Sequence, residues 1–177
     1  MSAMKRLLPL ALLPLLALGP AAFGQSGGGG TSLRNHNTDA PVDVAADRIE
    51  VQDRSDRAIF SGTVDVRQGN MRLQSARLIV SYASGQGIDI QRLEASGGVT
   101  LTSPAETARG QYAIYDLDRR LVTMIGGVTL VRGANRVQGG RLVIDLDSGR
   151  AVMDGGTPST GGRVTGRFTV PQRSKGN

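Results

Sequence analysis

The feature that most narrows what this chain can fold into is a segment that recurs at nearly constant spacing. Arg57-Ala58-Ile59-Phe60-Ser61-Gly62-Thr63-Val64-Asp65-Val66 is followed by Ala95-Ser96-Gly97-Gly98-Val99-Thr100-Leu101 and then by Met124-Ile125-Gly126-Gly127-Val128-Thr129-Leu130. Arg150-Ala151-Val152-Met153-Asp154-Gly155 opens a fourth copy. Self-similarity at roughly 30 residues marks stacked units, none of which can bury its apolar face alone. A second segment keeps step with the first: Arg48-Ile49-Glu50-Val51, Arg77-Leu78-Ile79-Val80, Gln111-Tyr112-Ala113-Ile114 and Arg141-Leu142-Val143-Ile144. Such a chain carries its function on a long repetitive surface rather than in one catalytic pocket.

Inside these segments the period is two. Phe60, Val64 and Val66 alternate with Ser61, Thr63 and Asp65, and Leu142, Ile144 and Leu146 alternate with Arg141, Asp145 and Asp147, the signature of half-buried strands. Turn chemistry separates the runs at Arg67-Gln68-Gly69-Asn70, Ser84-Gly85-Gln86-Gly87, Thr102-Ser103-Pro104, Asp116-Leu117-Asp118, Arg132-Gly133-Ala134-Asn135 and Asp147-Ser148-Gly149. The pattern predicts an all-β antiparallel meander built from ~30-residue strand repeats. Gly62, Gly97 and Gly126 recur within strands, where glycine weakens pairing, so each is expected at a bend or bulge that curls the sheet into a trough.

The ends of the chain differ in composition from its middle. Lys5-Arg6, the apolar run Leu7 to Leu18 and the small residues around Ala22-Phe23-Gly24 read as a signal peptide over residues 1–24, cleaved near Gly24/Gln25. Pro9 and Pro14 interrupt the run, and it is shorter than the ~20 residues of a spanning helix, which counts against the alternative of an uncleaved anchor. Residues 25–40 read as a flexible leader, 41–154 as the folded domain, and 155–177 as a Gly-rich segment in which Val164 to Val170 could add an edge strand. There is no cysteine, so neither a disulfide framework nor a lipidated cysteine is available, which fits a bacterial periplasm.

Enzymatic chemistry has little raw material. His36, the sole histidine, falls in the expected leader, so the folded part lacks the residues for a Ser-His-Asp, Cys-His or histidine-based zinc site. Asp116/Asp118 and Asp145/Asp147 form Asp-x-Asp pairs open to calcium or glycosidase readings, but each lies at a turn where aspartate caps its own backbone. No catalytic residue, metal site or cofactor is expected. Beyond the signal, 19 of the 21 basic residues remain against 15 acidic ones, a net +4. That suits an anionic partner, but Phe60, Tyr82, Tyr112, Tyr115 and Phe168 form no stacking motif for nucleic acid.

The start Val44-Ala45-Ala46-Asp47-Arg48-Ile49-Glu50-Val51 and the recurrent Phe-Ser-Gly-x-Val-x-Val and Ala-Ser-Gly-Gly-Val-x-Leu strands resemble the OstA-like family of lipopolysaccharide-transport domains. The resemblance covers Pro41 to Asp154. It implies a curled, V-shaped antiparallel β-jellyroll with an open apolar trough. It also implies lipopolysaccharide, through its lipid A, as ligand, and head-to-tail stacking between inner-membrane LptC-like and outer-membrane LptD-like OstA domains, with self-association. The residues it assigns to the groove are Ile49, Val51, Phe60, Val64, Val66, Leu73, Leu78, Val80, Val99, Leu101, Tyr112, Ile114, Met124, Val128, Leu130, Leu142, Ile144 and Met153. Alternation alone is equally consistent with these filling an ordinary closed core. Arg48, Arg77 and Arg141, each preceding an inward residue, are the candidates for headgroup phosphates, against a plainer role as solvated strand-flank residues. Two alternatives stand beside the non-enzymatic carrier: a structural β-solenoid interaction module, and a membrane-anchored LptC-like subunit without its own lipid path.

Overall fold

β-branched and apolar residues at every second position commit the middle of the chain to strands, and the turn residues between them set antiparallel pairing. The computed structural model describes Leu33 and residues 36–85, 87–156 and 162–170. The signal-peptide expectation lies outside these residues. Among the described residues ten strands form one sheet: β1 (Val42–Ala45), β2 (Arg48–Gln52), β3 (Arg57–Gln68), β4 (Met71–Ser84), β5 (Ile88–Thr102), β6 (Glu106–Asp116), β7 (Leu121–Arg132), β8 (Asn135–Asp145), β9 (Ala151–Asp154) and β10 (Thr165–Arg167). The six long strands β3 to β8 pair in chain order. At one edge β1 and β2 share the outer side of β3, and at the other β9 and β10 share that of β8. The recurring sequence segments are therefore successive strands of one meander, and β10 falls within the Val164 to Val170 stretch.

Every pair of long strands shifts register at the same level. At this level the shifts lie between Ser61 and Val64, Gln74 and Arg77, Ser96 and Val99, Arg109 and Tyr112, and Ile125 and Val128, and the β4–β5 pair carries one more between Ser81 and Tyr82. Gly62, Gly97 and Gly126 stand on this line with positive φ, as the sequence predicts for bends. Each is filled from the neighbouring chain: the Asp47 side chain lies against Gly62, the Ala76 Cβ against Gly97 and the Gln111 side chain against Gly126. A side chain at any of these glycines would displace its neighbour, so the glycines let adjacent backbones cross at the bend.

The bend turns the sheet over its own inner face. On one side of it the inner rows run Ile49–Phe60–Leu78–Ala95–Ala113–Met124–Leu142–Met153 and Val51–Ala58–Val80–Leu93–Tyr115–Val122–Ile144–Ala151. On the other side the row is Val44–Val66–Leu73–Leu101–Ala108–Leu130–Val137. Residues of both sides join a single apolar core, and the Tyr115 hydroxyl on one side reaches Gln68 Oε1 on the other at 2.9 Å. The result is the curled antiparallel β-jellyroll expected from the sequence.

The leader expectation needs correction where the chain is described. Leu33 and His36 are buried, and both lie between the two halves of the folded sheet. Leu33 sits among Leu101, Ala108 and Leu130 of one half and Ile144 of the other. His36 Nε2 donates to Gln68 Oε1 at 3.0 Å, and its Nδ1 lies 3.1 Å from the Asn70 side-chain amide. Gln68 Nε2 in turn donates to the Thr38 and Ala40 carbonyls at 2.8 and 3.0 Å, and Asp39 pairs with Arg120 at 3.7 Å. Polar composition suggested solvation, but one leucine with an apolar slot and one histidine with two amide partners suffice to hold this segment as a strap.

Candidate functional site

The interior of the folded sheet is the candidate site. Val64, Val66, Leu73, Leu78, Val80, Val99, Leu101, Met124, Val128, Leu142 and Ile144 all point into it and are buried, with Leu78, Met124 and Val128 wholly excluded from solvent. Phe60, Leu130 and Met153 pack on the same interior while partly exposed. Ile49 and Val51 share these inner rows but remain 55% and 56% exposed, because β2 is the edge strand and no described residue covers its inner face. The middle of the interior is thus closed by packing, and its two ends are apolar and accessible.

Two expected groove residues lie elsewhere. Tyr112 and Ile114 stand on the outer face, Tyr112 at 57% exposure, while Ala113 and Tyr115 take the inward positions on β6. The cause is the bend. β3, β5 and β7 place two residues between an outward and an inward position there, which preserves alternation. β4, β6 and β8 place one, Ala76, Gln111 and Gly140, so their alternation reverses. Counting by twos along β6 from Ala108 leads to Tyr112 and Ile114, whereas the folded strand presents the other phase.

Arg48, Arg77 and Arg141 are brought together, but not around the interior. They share one cross-strand row, Arg48–Ser61–Arg77–Ser96–Tyr112–Ile125–Arg141–Asp154, on the outer face. Arg48 approaches Glu50 at 3.9 Å and Arg141 approaches Asp154 at 3.8 Å, distances typical of weak exposed pairs. Any headgroup contact through these three is made from outside the trough.

Apart from Ser75 at the bend, a few polar side chains also face inward. Gln68, Glu106, Arg132 and Asn135 occupy the inner phase next to the strap. Arg132 donates from Nε and Nη2 to Glu106 Oε2 at 3.2 and 2.8 Å. Burial pushes the Tyr115 phenol up to about 12 against the partial relief of its bond to Gln68. Beside Arg132 an apolar cavity of about 280 Å³ opens at the C-terminal end, lined by Leu130, Val137, Leu142, Ala151, Met153 and Phe168. A larger depression of about 560 Å³ on the outer side of β8 and β10 is lined by Ala134, Arg136, Gln138, Thr165, Gly166 and Arg167, so its charged side chains are arginines. The Asp-x-Asp pairs act as turn caps: Asp116 Oδ1 accepts from the Arg119 amide at 3.0 Å, and Asp145 Oδ1 from the Asp147 and Ser148 amides at 3.0 and 2.9 Å. The Ser148 amide chiefly holds the Asp145 carboxyl below the usual range.

Comparison with known proteins places this architecture. The model of a family described as LptA/(LptD N-terminal domain) LPS transport protein matches residues 43–150. An uncharacterised protein of Rhizobium meliloti (strain 1021) is 34% identical over 94 residues, half of each chain, so this chain spans about half the length of that relative. The crystal structure of LptH, the LptA-homologous periplasmic component of the lipopolysaccharide transport device of Pseudomonas aeruginosa, superimposes with a TM-score of 0.65 at 17% identity. That match covers 75% of this chain and 98% of LptH, and it shows a shared fold. With the family model covering most of the folded strands, the chain belongs to the LptA/LptD N-terminal domain family of lipopolysaccharide-transport proteins.

Proposed function

We propose that this protein is a non-enzymatic periplasmic carrier that shields the acyl chains of lipopolysaccharide inside its folded sheet and bridges inner- and outer-membrane OstA domains of LptC-like and LptD-like partners. The observation that carries the reading is the continuous apolar interior, which runs from exposed Ile49 and Val51 at one edge to the cavity beside Met153 and Phe168 at the other. Each methylene kept from water is worth about 0.8 kcal/mol, so a multiply acylated lipid crosses an aqueous compartment only in such a shelter. Family membership supplies the class of cargo. Periplasmic residence agrees with the amino-terminal sequence, and among the described residues no helix is long and apolar enough to span a membrane.

A photocrosslinking amino acid at Phe60 or Met153 should capture lipopolysaccharide in living cells, and the same group at outward Tyr112 should not. Equal signals from inner and outer positions, or none from the inner ones, would sink the proposal. The packed centre of the interior favours a second reading, a structural module that only links neighbouring domains. That reading requires no inner crosslink while the edges still bind their partners.

A further inference from the structure

Among the described strand arginines, Arg132 alone faces inward. We propose that Arg132, held by Glu106, anchors the anionic head of an acylated ligand at the C-terminal mouth of the trough, with one acyl chain in the adjoining cavity; this rests on the carrier reading above. The Glu106 side chain is 4% exposed and that of Arg132 38%, so the carboxylate lies inside and the guanidinium reaches the opening. Arg132 gives both of these donors to a single oxygen, Oε2 of Glu106. Of the five guanidinium N–H groups, three therefore remain, in a plane fixed by the buried partner, and that fork matches a phosphate or carboxylate.

Asn135 adds a second donor at the same place. Its Oδ1 accepts from the Thr169 amide at 2.9 Å, which leaves its NH₂ group for a ligand. The same bond tethers the segment that carries Phe168 across the cavity. Leu130, Val137, Leu142 and Met153 offer the chain only aliphatic and thioether atoms. An apolar slot that ends in a positioned cation and an amide donor selects an amphiphile with a negative head. The headgroup arginines read from the sequence, on the opposite face, lack such a slot.

The test measures binding to the full mature protein at low salt for two matched pairs: lipid A and its dephosphorylated analogue, and a long-chain fatty acid and the corresponding fatty alcohol. The wild type should prefer the anionic member of at least one pair by about fivefold, less at high salt. Preference for lipid A assigns the site to headgroup phosphate, and preference for the fatty acid to carboxylate. Arg132→Gln should bring the ratio to about one, chiefly by weakening the anionic ligand. Because that change removes one charged partner of the buried Glu106, the double variant Arg132→Gln/Glu106→Gln, which neutralises both, is measured beside it, with thermal unfolding to verify the fold. A ratio that persists in either folded variant overturns the anchor. Equal wild-type binding within both pairs overturns it while leaving the carrier reading intact, and failure to bind any of the four overturns both.

Discussion

The side chains that set the character of this molecule are the few polar ones inside an aliphatic interior. Gln68 is the hub: its Oε1 accepts from both His36 and Tyr115, and its NH₂ group donates to two carbonyls of the strap. Every polar atom of that amide is used, which is how a buried glutamine escapes the desolvation penalty. Tyr115→Phe removes one donor and leaves Oε1 bonded to His36, so it should cost about 1 kcal/mol at neutral pH. With its pKa raised to about 12, the Tyr115 phenol keeps its proton in the fold after the unfolded chain has released its own near 10. Its contribution is whole below about pH 10 and is lost as pH climbs through about 12, roughly 2–3 kcal/mol in all. Denaturant unfolding of wild type and Tyr115→Phe at pH 7, 10 and 11.5 checks the sign: the variant should lose less stability on the alkaline side.

Two elements decide the architecture, the bend line and the strap. Gly97 and Gly98 share a φ of +83°, but a Cβ on Gly97 would lie 2.7 Å from the Ala76 Cβ, whereas one on Gly98 meets nothing within 4 Å. Gly98→Ala should therefore cost only the left-handed strain, about 1 kcal/mol, and Gly97→Ala should cost at least twice that, about 2–3 kcal/mol. Paired melting curves measure the difference directly, and equal shifts would mean that crossing of the strands at the bend does not matter. For the strap, Leu33→Ala should cost about 2–4 kcal/mol, the range for a buried leucine. Hydrogen exchange at residues 36–40 should accelerate in that variant while the amides of β5 and β6 stay protected.

At the scale of the whole molecule, the sheet does not close on itself, so it ends in two free edges. β2 is exposed along nearly its whole length, and at the other end the short strands β9 and β10 lie outermost on β8, with no described strand beyond them. Unpaired strand edges of this kind favour head-to-tail addition of a like domain, an open association that grows with concentration. Sedimentation should show mass rising with protein concentration. Ile49→Lys with Val51→Lys, both on the exposed inner face of the edge strand, should hold the protein monomeric and shift its melting by less than about 0.5 kcal/mol each. A double variant that still self-associates would move the interface away from β2.

Alternation, turn residues and recurring glycines made the strands, their antiparallel order and the bend readable, because each depends on residues within a few positions of one another. Arg77-Leu78-Ile79-Val80 and Arg141-Leu142-Val143-Ile144 declare their phase by an arginine, which takes the outward side and leaves Leu78, Val80, Leu142 and Ile144 inward. Gln111-Tyr112-Ala113-Ile114 does not: both phases carry hydrophobic residues, and the choice was made by one residue at the bend, where β6 must match the register of β5 and β7. The burial of His36 is not legible in the local sequence because its partners, Gln68 and Asn70, lie over 30 residues away. Arg132 stands in the sequence only within the turn run Arg132-Gly133-Ala134-Asn135, and strand pairing sets it opposite buried Glu106. The sequence by itself determined the strands and where they bend, since those follow from local sterics and side-chain period. Tertiary structure alone decided which face of β6 is inside, what closes the open side and which arginine reaches the cavity, because burial is a property of residues that meet only after the sheet has folded over itself.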